Sequence, residues 1–426
     1  MLEFDINNIV LVGVIFFTIL EWWIVCRRFK SFTLKMILLF AYVFICLYCG
    51  CGIALTSCNP RYAFYYLAYI TIMSLCFRTW IKDANIEKND YIISTFLGKY
   101  GSRIIITYTF LNFLGLIYPE FKLANLINPP MPDVNNWLES AYLEKEQSLL
   151  ESLIYLGSST LMPFYYFSLY KYNQNKKKVA LILFLNLYIS YCIEGNIGRS
   201  SVLVALLIVF LAVLRDVSAE KRRIILIRVG VVTPIFLVAF YYYSLIRVGQ
   251  DVDASISVSD IVLMLFSQEI NYPLWFDNYI NAQNYSSLYK YVEWFTLLPF
   301  PGFLKGDLGN YRLNAEFTYL VTGMLPGTVG FSIKLPGLIG EGIYVFGSLF
   351  FFLHAVLYSF IYSKVFNFLS SNKKLGYLSF YYAIMMSFDV ARGGTISVYP
   401  HIVKHLIIFA VVIIWYRKKM NSQLIK

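Results

Sequence analysis

The sequence predicts an all-α polytopic membrane protein with about eleven transmembrane helices, ten to twelve in all. Three observations predict it: an apolar composition, helix-length apolar runs, and basic residues gathered in alternate connecting segments. The 426 residues are 58% hydrophobic and 14% charged, where soluble domains carry roughly a quarter charged residues. A soluble protein this apolar could not cover its surface with polar groups, whereas lipid accepts apolar surface.

The runs come in order at 9–26, 36–55, 62–77, 104–119, 148–169, 179–194, 200–214, 224–245, 338–362, 375–391 and 398–416. A span needs about 20 mostly apolar residues. Lipid offers backbone groups no partner, so each span is expected to be helical. The runs lack period-2 alternation, which argues against a β-barrel.

The basic residues set the orientation. Segments 27–35, 78–103, 171–178, 215–228, 364–374 and 417–426 hold 25 of the 36 Lys and Arg residues and alternate with the spans. The positive-inside rule puts them in the cytoplasm. This sorting explains the net charge of +11 without nucleic acid as a partner. The N-terminus and 56–61, 120–147, 195–199, 246–337 and 392–397 then face outward. The leader Met1-Leu-Glu-Phe-Asp5 has no basic n-region, unlike a cleavable signal peptide.

Three regions follow: a bundle of about eight helices over 1–245, a large outer loop over 246–337, and about three C-terminal helices over 338–426. The loop is too long for a plain connector and too aromatic for disorder. Ser257-x-x-Asp260 before Ile261 reads as a capped helix start, with a second helix near 310–322. Ten of the 24 glycines fall between 302 and 347. They either admit close approach of backbone to a ligand or only bend the loop back to the bilayer.

The seven cysteines give no disulfide framework, and no metal-ligand spacing, Walker A or Rossmann pattern appears. No metal or cofactor is expected. Four outward-facing arginines interrupt apolar sequence: Arg199, Arg247, Arg312 and Arg392. The guanidinium fork suits phosphate, so several of them converging would bind a diphosphate. The alternative for each is a carboxylate or a lipid headgroup. Lys404, His401 and His405 lie about one turn apart in the last span and are expected to share a face. Intramembrane ionisable groups are functional candidates; the alternative for Lys404 is a structural pair with Asp389 or Glu194. A neutral His401 could act as a general base. His354 reads as a buried packing residue. Glu341, in Gly337-Leu-Ile-Gly-Glu-Gly342, either activates an acceptor hydroxyl or holds an arginine. Tyr272, Trp275 and Trp294 of the outer loop either stack on sugars or settle at headgroup depth.

One layout joins these features. The hairpin Gly198-Arg-Ser-Ser201 precedes a span, and the next span ends in Leu245-Ile-Arg-Val-Gly249. Then come the long outer loop with Leu298-Pro-Phe-Pro-Gly302, the return at Leu338-Ile-Gly-Glu-Gly-Ile-Tyr-Val-Phe-Gly347, and Ala391-Arg-Gly-Gly394 before the last span. Over roughly residues 190–416 this resembles the Wzy-type O-antigen and related oligosaccharide repeat-unit polymerases. The resemblance implies a GT-C-like membrane glycosyltransferase in the bacterial inner membrane, with its active side periplasmic. Such an enzyme moves a glycan from undecaprenyl pyrophosphate to another lipid-linked repeat unit and uses no nucleotide sugar. It also implies a chain-length regulator as a partner, and essential outer arginines at Arg199, Arg247 and Arg392. Arg312 and Gly323 fit an Arg-x10-Gly pattern of some members; no such match starts at Arg247 or Arg392. Glu341 and His401 are then the leading proton acceptors, with Arg312 and Lys404 completing the cationic set. Rival readings are an O-antigen ligase, a lipid-linked oligosaccharide flippase, and a membrane acyltransferase.

Overall fold

A computed structural model describes residues 6–50, 60–83, 90–130, 148–171, 176–194, 207–208, 210–211, 213–215, 217–248, 285–300, 313–324, 328, 335–371 and 378–424. Among them the chain is all-α, with no strand. The helices are α1 (Ile6–Cys26), α2 (Phe32–Ile45), α3 (Pro60–Trp80), α4 (Asp90–Leu114), α5 (Leu149–Lys171), α6 (Lys176–Glu194), α7 (Ala219–Val248), α8 (Tyr285–Thr296), α9 (Leu313–Thr322), α10 (Gly337–Ser371), α11 (Leu378–Gly393) and α12 (Tyr399–Leu424). A π-helical turn, Cys46–Gly50, continues α2.

Among the described residues, four helices are long and apolar enough to cross a bilayer, at Ile9–Cys26, Phe32–Gly50, Ala219–Tyr242 and Gly337–Ser371. The helices α3, α4, α5 and α6, of 21, 25, 23 and 19 residues, have the length but are diluted by Tyr, Ser and Asn. Those polar groups are turned to neighbours. Tyr42 and Ser74 hydrogen-bond between α2 and α3 at 2.7 Å, and Asn112 of α4 donates to Asn186 of α6 at 3.1 Å. In α7 none of the apolar window is buried, and Val231, Ile235 and Phe236 are exposed. A helix apolar all round needs either a protein core or lipid around it.

Two groups of helices pack together. In the first, α10 lies against α3 and α11, α11 lies against α2, and α1 covers α2 and α3. Phe388 of α11 fills the space beside Phe44 and Tyr48, with edge-to-face ring centroids 4.9 and 5.6 Å apart. In the second, α5 packs along α4, and α6 joins them. Contacts of α5 with α11 join the groups, and Phe164 of α5 meets Phe409 of α12 at 5.6 Å.

The Thr18 hydroxyl donates its one proton to the Val14 carbonyl at 2.7 Å, so the Tyr66 hydroxyl, 2.7 Å away, is the donor between α3 and α1. Tyr66→Phe should therefore lower stability by about 1 kcal/mol, the upper part of the range for such bonds in membranes. Thermal unfolding in detergent reads that loss.

Several boundaries differ from those the sequence suggests. The segment 78–103, expected as a cytoplasmic loop, is helical from Asp90 and at its start through Trp80. The cause is an apolar tract, Tyr91-Ile-Ile, that charged neighbours dilute below the level of a span. The helix α9 matches the expected one at 310–322. The expected helix from Ser257 lies outside the described residues. The helix α8 was not foreseen, although Leu288, Tyr291, Trp294 and Leu298 recur at helical spacing and turn inward while Tyr289 and Val292 stay exposed. Both loop helices rest on the C-terminal bundle. Tyr344 of α10 donates to Glu316 of α9 at 3.1 Å, and Lys290 of α8 pairs with Glu316 at 3.6 Å.

Candidate functional site

A cavity of about 400 Å³ opens between α5, α11 and α12. Pockets that take small ligands usually measure about 300–1,000 Å³. Its polar wall comes from Asp389 and Arg392 of α11, Ser397 of the connecting hairpin, His401 and His405 of α12, and Tyr155 and Ser159 of α5. Met162 and Met385 supply apolar wall.

Asp389 and Arg392 are three residues apart, which puts them on one face of α11. His401 and His405 are four apart on α12. The Ser159 hydroxyl donates to the Leu156 carbonyl at 3.1 Å. His405 Nε2, 3.3 Å from Ser159 Oγ, must then carry the proton and donate. Its Nδ1 is left to accept from the Tyr382 hydroxyl at 2.9 Å. Both nitrogens of His405 are thereby engaged, and Ser159 has no free proton acceptor to activate it. His401 differs: no side-chain hydrogen bond holds it among the described residues, and its ring stands 6.1 Å from Tyr155. It is the imidazole best placed to exchange a proton with a molecule in the cavity.

Arg392 and His401 thus line one cavity. Lys404 does not join them. It is exposed and absent from the cavity wall, because at this point of α12 the inward face is set by the i, i+4 pair His401 and His405. Lys404 makes no ion pair with Asp389 among the described residues. Arg199 and Arg312 lie outside the described residues, and Arg247 falls in the last turn of α7 with its side chain also outside them. Tyr272 and Trp275 are likewise outside. Trp294 is 5% exposed and packs against Tyr291 and Phe295, so it has no open face for a sugar. Gly323 follows the last turn of α9 at φ +69°, the left-handed position that ends many helices.

Glu341 does not line the cavity. It is fully buried, and its two carboxyl oxygens accept from the backbone N–H and the hydroxyl of Thr395. His354 is buried as expected, but it does more than pack: Nδ1 meets the Tyr69 hydroxyl at 3.0 Å, and Nε2 lies 3.6 Å from Glu341 Oε1. The sequence reading treated Asp389 only as a partner for Lys404. The spacing Asp389-x-x-Arg392 was the available signal for its place beside Arg392. Tyr155 and Ser159 sit more than 200 residues earlier, with no local signal.

Where the cavity works by general base catalysis, His401→Ala should lower turnover about a hundredfold, the lower end of the range for a lost general base. Lys404→Ala should leave it within about twofold, since that ammonium faces away. Initial rates measured with the two purified variants check both expectations. No family model, curated protein or solved structure matches the chain.

Proposed function

We propose that the chain is a membrane glycosyltransferase of the Wzy type, joining oligosaccharide repeat units carried on undecaprenyl pyrophosphate at the periplasmic face of the bacterial inner membrane. One observation carries this reading: Arg392, Asp389 and His401 meet in a cavity walled by three helices. An arginine fork there suits a diphosphate, and an unbonded imidazole suits a sugar hydroxyl. About eleven spans, with the basic loops inside, would put the hairpin between α11 and α12 on the outer side.

The chemistry follows from that placement. The acceptor hydroxyl oxygen forms the new bond to the anomeric carbon of the donor glycan. The bond from that carbon to the diphosphate oxygen breaks, and its electron pair leaves with undecaprenyl pyrophosphate. His401 takes the hydroxyl proton. Arg392 stabilises the charge that grows on the departing diphosphate. Because the bilayer holds both lipid-linked substrates at one depth, their meeting costs less entropy.

A deletion strain tests the reading. Loss of the polymerase should leave surface lipid capped with a single repeat unit, restored to long chains by the gene in trans. Surface lipid with no repeat unit at all would replace this reading with a ligase or a flippase.

A further inference from the structure

Glu341 sits where α10 begins, and α10 bends at Gly347, whose φ of 80° and ψ of 167° interrupt the helix. From there the Glu341 side chain reaches the hairpin between α11 and α12. The backbone N–H and the hydroxyl of Thr395 both donate to it. That hydroxyl has one proton, so the Tyr291 hydroxyl, 2.7 Å from Thr395 Oγ1, donates in turn. The donor chain therefore runs from α8 of the outer loop, through the hairpin, to α10. Gly394 stands in the middle of it at φ +79°, and a Cβ there would overlap Glu341 Oε2. The hairpin and the carboxyl group are thus shaped to each other.

What the clamp holds is the cavity wall. Arg392 and Gly393 precede the clamped residue, Ser397 is two residues beyond it, and His401 follows one turn further, all lining the cavity. We infer that Glu341 is a positioning residue, acting through Thr395 to fix the hairpin that sets Arg392 and His401 in place. It touches no substrate in this scheme. The inference rests on the reading of this cavity as the transfer site, but the clamp can be tested without any activity.

The test uses the full-length protein purified in detergent. Ser397→Cys supplies a thiol in the cavity wall, and its modification by a maleimide is timed against the background of the native cysteines. Adding Glu341→Gln or Thr395→Val should speed that modification about tenfold, because the hairpin loses its hold. Adding Thr395→Ser, which keeps both donors, should leave it within about twofold. In the transfer assay on the Ser397 background, Glu341→Gln and Thr395→Val should lower kcat about tenfold with KM within twofold, since small misplacements near a reacting centre cost far more in turnover than in binding. Thr395→Ser should restore kcat. Unchanged labelling and kcat in both Glu341→Gln and Thr395→Val would overturn the inference. So would Thr395→Ser behaving like Thr395→Val, which would assign the effect to packing. A wild-type protein without transfer activity would remove the polymerase reading, and the thiol measurement would still decide the clamp.

Discussion

Replacing Arg392 with alanine is expected to abolish long-chain product and to lower the rate of glycan transfer by about 10²–10³, the loss usual when one donor aimed at a developing oxyanion is removed. Of the four arginines that interrupt apolar sequence, Arg392 is the one whose side chain is described, and it lines the cavity beside Asp389 and His401. Arg392 is half-buried, and a charge interaction partly removed from solvent is worth several times its value in bulk water. Arg392→Lys should fall between wild type and alanine. An ammonium keeps the charge but not the planar two-pronged donation to a phosphate. The measurement is single-turnover transfer with purified protein, read beside the length distribution of surface polysaccharide in cells. Full-length chains from Arg392→Ala would remove the diphosphate role and, with it, the enzymatic reading of the cavity.

Gly394→Ala should be the most destabilising single-methyl change in the described chain, costing about 3–4 kcal/mol. Two effects add. Gly394 has φ +79° and ψ 177°, a region that side-chain-bearing residues enter at a cost of about 1–3 kcal/mol. The new methyl would also overlap the Glu341 carboxyl group and push it from Thr395, stranding a buried acceptor at roughly 1–3 kcal/mol. Thermal unfolding in detergent should show the loss, as should reduced abundance in the membrane. Glu341→Ala in the same chain should recover the steric part and leave the backbone part, giving a coupling energy of about 1–2 kcal/mol between the two sites. Additive effects would mean that the two residues do not touch.

Much of the architecture is legible in the sequence, residue by residue. Ile9–Cys26 and Ala219–Tyr242 each carry a window apolar enough to cross a bilayer, and no arrangement of neighbours was needed to make them helices. The long C-terminal run near 338–362 is the core of α10, and the interruption at Ala391-Arg-Gly-Gly394 is the turn between α11 and α12. The site was only half legible. Arg392 and His401 flank one short hairpin, so their meeting could be read locally. The fate of Glu341 could not be, because its partner Thr395 is 54 residues away. The same holds for Trp294, whose exposure depends on how α8 lies against Phe346 and His354 through Tyr291.

The sequence by itself determined that the described chain is helical and apolar, because lipid leaves backbone groups no partner but their own helix. It also located the turn at Ala391-Arg-Gly-Gly394 that ends α11, through charge and glycine. Only the tertiary structure decided which helices touch, and hence which polar groups share a cavity. The reason is physical. Between helices in a bilayer there is little hydrophobic force to mark a contact face, since lipid tails are as apolar as leucine. Pairing is settled by packing and by scattered hydrogen bonds such as Tyr382 to His405 and Tyr291 to Thr395, whose partners lie far apart in the chain.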